Sequence, residues 1–230
     1  MSHTKIISKR SNLSIIIPTA GCSKRLKKGP KALLQISSEK LIQRQINVLS
    51  KLYPSADIIV VVGYGSEKIY EFLPKKVRTV ENELYDITNV VRSISLGLRA
   101  SNTENALIVY GDMVFNRKTL GVLTEESSLI INPTGKEDCV GLNTDKNRVT
   151  HISYAAEKKW GQIIYLAKKE LDLFKKIVFD RKNDKLFGFE ALNICIDMWG
   201  EFIPIVANGP LVELDTLSDL IKLKLYEDKI

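Results

Sequence analysis

The chain has 230 residues, of which 44% are hydrophobic and 27% charged, as in an ordinary globular protein. A chain of this length buries a full core without metal or disulfide support. Its apolar runs fall well short of the roughly 18 residues that a membrane-spanning helix needs, so neither a membrane nor a leader segment is expected. The three cysteines stand far apart, which favours a reducing compartment and a cytoplasmic location.

The formal net charge of +7 is concentrated near the N-terminus. Eight basic residues lie within the first 31 positions, and the first acidic residue is Glu39. The remaining 26 basic residues nearly balance the 27 acidic ones. A concentrated positive patch favours a polyanionic partner, which leaves nucleotide phosphates, nucleic acid and an acidic membrane open at this point.

Hydrophobic periodicity predicts alternating strands and helices in the first half of the chain. The expected strands are 13–18, 57–62, 77–80 and 106–110, and the expected helices are 39–52, 66–73 and 90–100. Such alternation is typical of βαβ units with a mostly parallel sheet. Sheets of this kind bind ligands at the carboxyl ends of their strands.

Beyond about residue 120 the pattern changes to short strands and later helices. The expected strands are 128–132, 139–143, 149–153, 161–166, 202–206 and 211–214, and the expected helices are 171–178, 186–199 and 216–226. Thr216 and Asp219 have the spacing of a capping box at the last helix. Because no Gly/Pro-rich linker separates the halves, we expect a single domain over residues 1–230.

The first strand runs into a turn of small residues and then into a basic loop. The segment Pro18–Arg25 is followed by Gly29-Pro30-Lys31. Small residues let backbone amides approach phosphates closely, and Arg and Lys neutralise their charge. The spacing is neither a Walker loop nor a dinucleotide-binding glycine motif. A phosphate site is favoured over the alternative, an ordinary turn with exposed lysines.

This segment resembles the signature of the nucleotidyltransferase superfamily of sugar-nucleotide pyrophosphorylases, roughly Ala-Ala-Gly-x-Gly-x-Arg, a spacer and Pro-Lys-x-Leu. The chain matches this signature at Ala20, Gly21, Arg25 and residues 30–33. Ser23 stands where the signature has its second glycine. Further segments resemble the superfamily in the same order, namely 41–46, 59–64, 111–112 and 209–220.

The resemblance implies an α/β fold, the Rossmann-like GT-A type nucleotidyltransferase fold, with a mostly parallel central sheet and a small acceptor-binding lobe. The nucleotide-binding half would cover about 12–120 and the acceptor-binding half about 121–230. Ala20, Gly21 and Ser23 would line the triphosphate. Arg25 and Lys31 would hold the phosphates and act in catalysis by stabilising the leaving pyrophosphate.

Asp112 and Asp215 each follow an expected apolar strand, so both carboxylates can lie at the same edge of the sheet. Mg²⁺ favours one or two carboxylates together with phosphate oxygens and water. Taken alone, Asp112 could be a turn residue and Asp215 a helix cap. The resemblance favours both as metal ligands, with Asp112 also at the nucleotide.

The segment 81–89 leads into the expected helix 90–100, and Thr88 or Asn89 could cap that helix. The pattern Tyr85…Thr88-Asn89…Ser93 resembles the choline-phosphate and phosphonate cytidylyltransferase branch, which implies that Thr88 and Asn89 bind the nucleotide and favours CTP. Trp160 and Glu190 are candidate acceptor contacts. Trp160 could face a cationic head group or simply pack.

The resemblance, together with the basic loop and the two carboxylates, implies a magnesium-dependent nucleotidyltransferase of the EC 2.7.7 type. It would transfer CMP from CTP, or a nucleotidyl group from another NTP, to a phosphorylated or phosphonate small molecule and release pyrophosphate. A homodimer is compatible with this interpretation.

Two alternatives remain at the level of the sequence. A GT-A glycosyltransferase usually has Asp-x-Asp where this chain has Gly111-Asp112-Met113-Val114, with one acid. A nucleic-acid-binding domain is disfavoured, because aromatic residues make up only 7% of the chain and none interleave with the basic cluster.

Overall fold

The computed structural model describes residues 12–22, 29–121, 123–133, 139–154 and 156–224, apart from the side chains of residues 217, 222 and 224. The strands are β1 (Leu13–Pro18), β2 (Gln35–Ile36), β3 (Glu39–Lys40), β4 (Asp57–Val62), β5 (Arg78–Glu81), β6 (Asn105–Val109), β7 (Met113–Phe115), β8 (Ser128–Ile131), β9 (Gly141–Asp145), β10 (Arg148–Ser153), β11 (Lys158–Leu166), β12 (Ile203–Val206) and β13 (Leu211–Glu213). The helices are α1 (Leu41–Leu52), α2 (Ser66–Tyr70), α3 (Val90–Ala100), α4 (Arg117–Leu120), α5 (Lys168–Val178), α6 (Gly188–Asp197) and α7 (Leu217–Lys224). Short 3-10 turns cover Lys31–Leu33 and Arg181–Asn183.

The central sheet is parallel in the first half of the chain and mixed in the second. Strands β5, β4, β1 and β6 lie side by side in that order, all parallel. Strand β11 then pairs antiparallel with β6 and with β8, and β8 pairs parallel with β12. The β9–β10 hairpin joins the start of β11. The fold is therefore the expected α/β type with a mostly parallel central sheet.

Both faces of the sheet are covered, which explains why β1 is buried along its whole length. Ile15 and Ile17 pack in the same core cluster as the apolar face of α1. Ile16 points to the other face and packs in the cluster that contains α3, α5 and α6. This alternation follows from the period of two in a strand, which directs successive side chains to opposite faces.

The expected elements are present, with boundaries that agree or differ by at most three residues. The helix expected from residue 39 begins at Leu41, because Glu39–Lys40 pairs with Gln35–Ile36 as a small hairpin. The sequence did not predict β7 or α4. Strand β7 pairs antiparallel with β13, and this pairing proves central to the site. The organisation as one domain stays a prediction.

None of the helices within the described ranges could cross a membrane, because none is both long enough and apolar enough.

Candidate active site

A cleft of about 750 Å³ opens at the carboxyl ends of β1, β5 and β6, where parallel sheets bind ligands. Its walls include the turn 18–22, Lys31 and Asp112 from the first half of the chain. Tyr154 and Trp160 come from the second half. Both halves of the chain therefore contribute to one cavity.

The pairing of β7 with β13 brings Asp112 and Asp215 together, although about a hundred residues separate them. Asp112 directly precedes β7, and Asp215 lies two residues beyond β13. The Leu214 amide donates a hydrogen bond to the Asp112 carbonyl oxygen at 3.0 Å, which extends the ladder to the turn. The two carboxylates consequently face the same end of the cleft.

Lys31 lies between these two carboxylates. Its Nζ is 2.9 Å from Asp112 Oδ2 and 2.5 Å from Asp215 Oδ1. Burial by itself would lower the pKa of Lys31, but the charge of Asp112 and hydrogen bonds to both carboxylates outweigh burial and raise it. Lys31 is therefore a fully charged ammonium group inside the cleft.

A third acid, Glu213, completes the group and was not predicted from the sequence. Carboxylate oxygens of Asp112, Glu213 and Asp215 all lie within 4.8 Å of one another. Burial and the negative charges of Asp112 and Asp215 raise the pKa of Glu213 to about 7. The period of two in a strand places residues 213 and 215 on the same face, so the Glu-x-Asp spacing was a usable signal.

The acidic group fits a divalent cation. The buried Oδ1 of Asp112 has no hydrogen-bond partner within the part of the chain that the structure describes. Its other oxygen is held by Lys31, which shows that this position attracts a cation. Carboxylate oxygens are the ligands that Mg²⁺ prefers.

The helix-capping role that Asp215 could have had belongs to Asp219. Asp219 Oδ2 accepts hydrogen bonds from the Asp215 and Thr216 amides at 3.0 and 2.8 Å. Thr216 Oγ1 accepts one in return from the Asp219 amide at 3.4 Å, so the expected capping box is formed. The Asp215 carboxylate is left to the cleft.

Thr88 and Asn89 both line the cleft, but their side chains also hold the loop 82–89 together. Thr88 Oγ1 donates to the Leu84 carbonyl at 2.6 Å, and Asn89 Nδ2 donates to the Lys185 carbonyl at 2.6 Å. The buried Asn82, which no sequence pattern singled out, donates to Thr88 Oγ1 and Ser93 Oγ at 3.3 and 3.1 Å. Asn82 therefore organises this wall.

Trp160 belongs to a set of aromatic side chains that we call the aromatic wall: Tyr110, Tyr154, Trp160, Phe187 and Phe189. The Tyr110 and Trp160 rings meet edge to face with centroids 5.7 Å apart. Tyr154 and Phe189 do the same at 5.6 Å. The wall gives this side of the cleft an apolar, electron-rich surface.

The remaining expected site residues are placed as follows. Ala20 and Gly21 line the cleft at the end of β1. Ser23 and Arg25 lie outside the described residues. Glu190 Oε2 accepts a hydrogen bond from the Phe187 amide at 2.7 Å, so this side chain caps α6, and its acceptor contact stays a prediction.

A small-residue turn, a charged lysine and a cluster of carboxylates meet in one cleft at the carboxyl edge of the parallel strands, an arrangement that suits phosphates accompanied by a cation. The model of the family described as the MobA-like NTP transferase domain matches residues 15–187. The chain belongs to this family. The match confirms the superfamily that the motifs indicated and favours it over the glycosyltransferase alternative.

Curated relatives and solved structures agree with this family. The chain is 32% identical over 139 residues to the bifunctional protein GlmU of Neisseria meningitidis serogroup A. The aligned region covers 59% of this chain. It spans only 28% of the length of that relative.

The fold is similar to that of two solved enzymes. CTP:phosphocholine cytidylyltransferase from Streptococcus pneumoniae matches with a TM-score of 0.77 and 22% sequence identity. The match covers 93% of this chain and 98% of the Streptococcus pneumoniae chain. The inositol-1-phosphate CTP transferase from T. maritima matches with a TM-score of 0.74 and 16% sequence identity. The match covers 96% of this chain and 98% of the T. maritima chain.

Proposed function

We propose that this chain is a magnesium-dependent cytidylyltransferase that transfers CMP from CTP to a small molecule bearing a phosphate or phosphonate, with release of pyrophosphate. The observation that carries the proposal is the Lys31–Asp112–Asp215 cluster in a cleft that also contains the small-residue turn. The family match gives the same reaction class.

The reaction needs no strong base. An anionic oxygen of the acceptor attacks the α-phosphorus of the nucleotide, and a new P–O bond forms. The bond from the α-phosphorus to the oxygen that bridges to the β-phosphate breaks, and pyrophosphate leaves with that electron pair. The attacking oxygen is already ionised, so the protein contributes positioning and charge neutralisation.

The charged side chains divide this work. Asp112 and Asp215 would hold Mg²⁺, which when bound supplies positive charge to the triphosphate oxygens. Lys31 contacts the same two carboxylates that would hold the cation, so its ammonium group would lie beside the triphosphate and would neutralise part of its charge. Gly21 has no heavy atom within 4 Å of the position that a Cβ would take, which leaves room for a phosphate.

The preference for CTP is the finer part of the proposal. It is supported by the Tyr85…Thr88-Asn89 pattern and by the position of this loop on the cleft wall. Two enzymes of similar fold carry CTP in their names. Asn82 would act by fixing the loop whose edge faces the nucleobase.

The aromatic wall favours an acceptor with a cationic head group. A quaternary ammonium is attracted to aromatic faces and needs no hydrogen-bond acceptor. Of the acceptors that carry both this group and a phosphate, choline phosphate is the simplest, and the Streptococcus pneumoniae enzyme is named for it. A sugar phosphate is the main rival, because the apolar C–H face of a sugar ring also packs against aromatic rings.

A pyrophosphate-release screen tests the proposal. Four NTPs are crossed with choline phosphate, 2-aminoethylphosphonate, inositol 1-phosphate and glucose 1-phosphate, each with Mg²⁺ and with EDTA. We expect the highest kcat/KM for CTP with choline phosphate and no turnover in EDTA. The Asp112→Asn variant serves as the inactive control.

Each part of the proposal is contradicted by a different result of the screen. Preference for UTP or dTTP removes the cytidylyltransferase assignment, and preference for glucose 1-phosphate removes the cationic acceptor. Release of pyrophosphate in the presence of EDTA would contradict the proposed dependence on Mg²⁺. If no pair of substrates releases pyrophosphate, the nucleotidyl-transfer reaction itself is contradicted.

A further inference from the structure

Gln45 lies in the middle of α1 and is almost completely buried. Its Nε2 donates hydrogen bonds to the Tyr110 carbonyl oxygen at 2.9 Å and to the Met113 carbonyl oxygen at 2.8 Å. Tyr110 precedes Gly111 and Met113 follows Asp112, so the two carbonyls bracket the turn that carries the Asp112 carboxylate. Gln45 thus reaches the candidate metal site from a different element.

The chemistry of the amide fixes its orientation. The NH₂ group has two hydrogens, one for each carbonyl, whereas Oε1 in the same place would be repelled by both carbonyl oxygens. Oε1 is buried and has no hydrogen-bond partner in the described ranges. A buried polar atom without a partner is unfavourable, so an apolar residue would suit this helix better if packing were its only role.

Other hydrogen bonds restrain the same turn from two further sides. The Gly111 amide donates to the Pro18 carbonyl at 3.2 Å, which ties the turn to β1. The Leu214 amide donates to the Asp112 carbonyl at 3.0 Å, which ties it to β13. Gln45 supplies the restraint from α1.

We propose that Gln45 is a positioning residue that holds the turn 110–113, and with it the Asp112 carboxylate, in the geometry needed to bind the metal ion. The proposal rests on the proposed function, because it takes Asp112 to be a metal ligand. Lys31 holds Oδ2 of Asp112, but Oδ1 has no protein hydrogen bond among the described residues, so the position of this oxygen depends on the backbone of the turn. Outer partners of this kind set the orientation of metal ligands.

The test measures Mn²⁺ affinity by electron paramagnetic resonance, with no substrate present. Gln45→Met keeps the volume of the side chain but removes both N–H donors. Gln43→Met is the matched control, because Gln43 lies on the same helix and its side chain accepts only from the Lys40 amide among the described contacts. Leu49→Ala removes buried apolar volume from α1 but no hydrogen-bond donor, so it controls for loss of packing.

We expect Gln45→Met to weaken Mn²⁺ binding about 10–100-fold, the usual effect of losing an outer partner of a metal ligand. Gln43→Met and Leu49→Ala should bind Mn²⁺ within about twofold of the native protein, the latter despite a lower Tm. If Gln45→Met does not fold, Gln45→Glu keeps the shape, and because burial against two carbonyl oxygens favours the protonated carboxyl, it can donate to only one of them and should also weaken Mn²⁺ binding.

Two results would overturn the inference, and they are distinguishable. Native Mn²⁺ affinity in a folded Gln45 variant contradicts the positioning role alone. Equal Mn²⁺ binding by the native protein and by Asp112→Asn contradicts the metal site of the proposed function, and the role of Gln45 with it.

Discussion

Lys31 carries a positive charge between two aspartates in a cleft otherwise rich in acids. Its side chain is only 18% exposed, yet it packs in no core cluster and ends in hydrogen bonds to carboxylates. A lysine in this position contributes charge to the cleft and little to the core. Its removal should therefore affect chemistry more than folding.

Lys31→Ala should lower kcat/KM by about 10²–10³-fold, the usual effect of removing one group that stabilises developing charge. The free energy of unfolding should fall by only about 1–2 kcal/mol, because Lys31 supports no apolar packing and both carboxylates keep some contact with solvent in the cleft. Steady-state kinetics and thermal melts measure the two effects. The exposed Lys51→Ala is the control, and a collapse of Tm together with activity would show Lys31 to be structural.

Asp215 and Asp219 are neighbours with separate roles. Asp215→Asn should abolish Mg²⁺-dependent turnover with little change in Tm, because an amide lacks the charge that a cation needs. Asp219→Ala should instead lower the free energy of unfolding by about 1 kcal/mol through loss of the cap. Kinetics and melts of both variants check this, and near-normal Mg²⁺ dependence of Asp215→Asn would contradict the metal role.

At the scale of elements, the site depends on the close approach of the turn after β6 to the end of β1. A Cβ at Gly111 would lie 2.6 Å from Thr19 Cγ2 and 2.7 Å from the Pro18 carbonyl oxygen. The second contact is with backbone, which cannot move aside without separating the two strands. Glycine is therefore required here by packing.

Gly111→Ala should lower the free energy of unfolding by about 1–3 kcal/mol, as overpacking does, and should weaken Mn²⁺ binding as the turn shifts. Gly21→Ala is the matched control, since a Cβ there meets no atom within 4 Å. It should leave the free energy of unfolding within about 0.5 kcal/mol of native. Denaturant unfolding of both variants measures the difference, and equal stabilities would contradict this account of the turn.

At the scale of the whole molecule, the cleft joins the two halves of the chain, and its two tryptophans report on it differently. Trp160 is buried in the aromatic wall, whereas Trp199 is 85% exposed. Trp199 does not line the cleft in the part of the chain that is described. Fluorescence can therefore separate acceptor binding from other events.

Trp199→Phe leaves Trp160 as the sole tryptophan. Its emission should change in a saturable way as choline phosphate is added to the protein with Mg²⁺ and an unreactive CTP analogue, because the cation approaches the indole. Trp160→Phe should show no such change. A flat titration of the first variant, with CTP turnover intact, would place the acceptor away from the aromatic wall.

Local sequence patterns determined the elements and the edge of the sheet where the site lies. The buried strands β1, β4 and β6 follow from apolar runs, and the amphipathic helices α1 and α3 from a period of 3.6. Because parallel strands end at one edge, the order of residues along the chain is enough to place Lys31 and Asp112 near a common cleft. Motif resemblance added the family and favoured Asp112 and Asp215 as metal ligands.

Only the tertiary structure decided how these groups meet. The three-residue strand β7 is too short for its period to be recognised, yet its pairing with β13 sets the register of Asp112 against Asp215 and brings in Glu213. In the sequence, Asn82 and Gln45 cannot be told from ordinary polar residues, because the role of a buried amide depends on its hydrogen-bond partners. Those partners are distant in sequence, and local periodicity carries no information about contacts made across the fold.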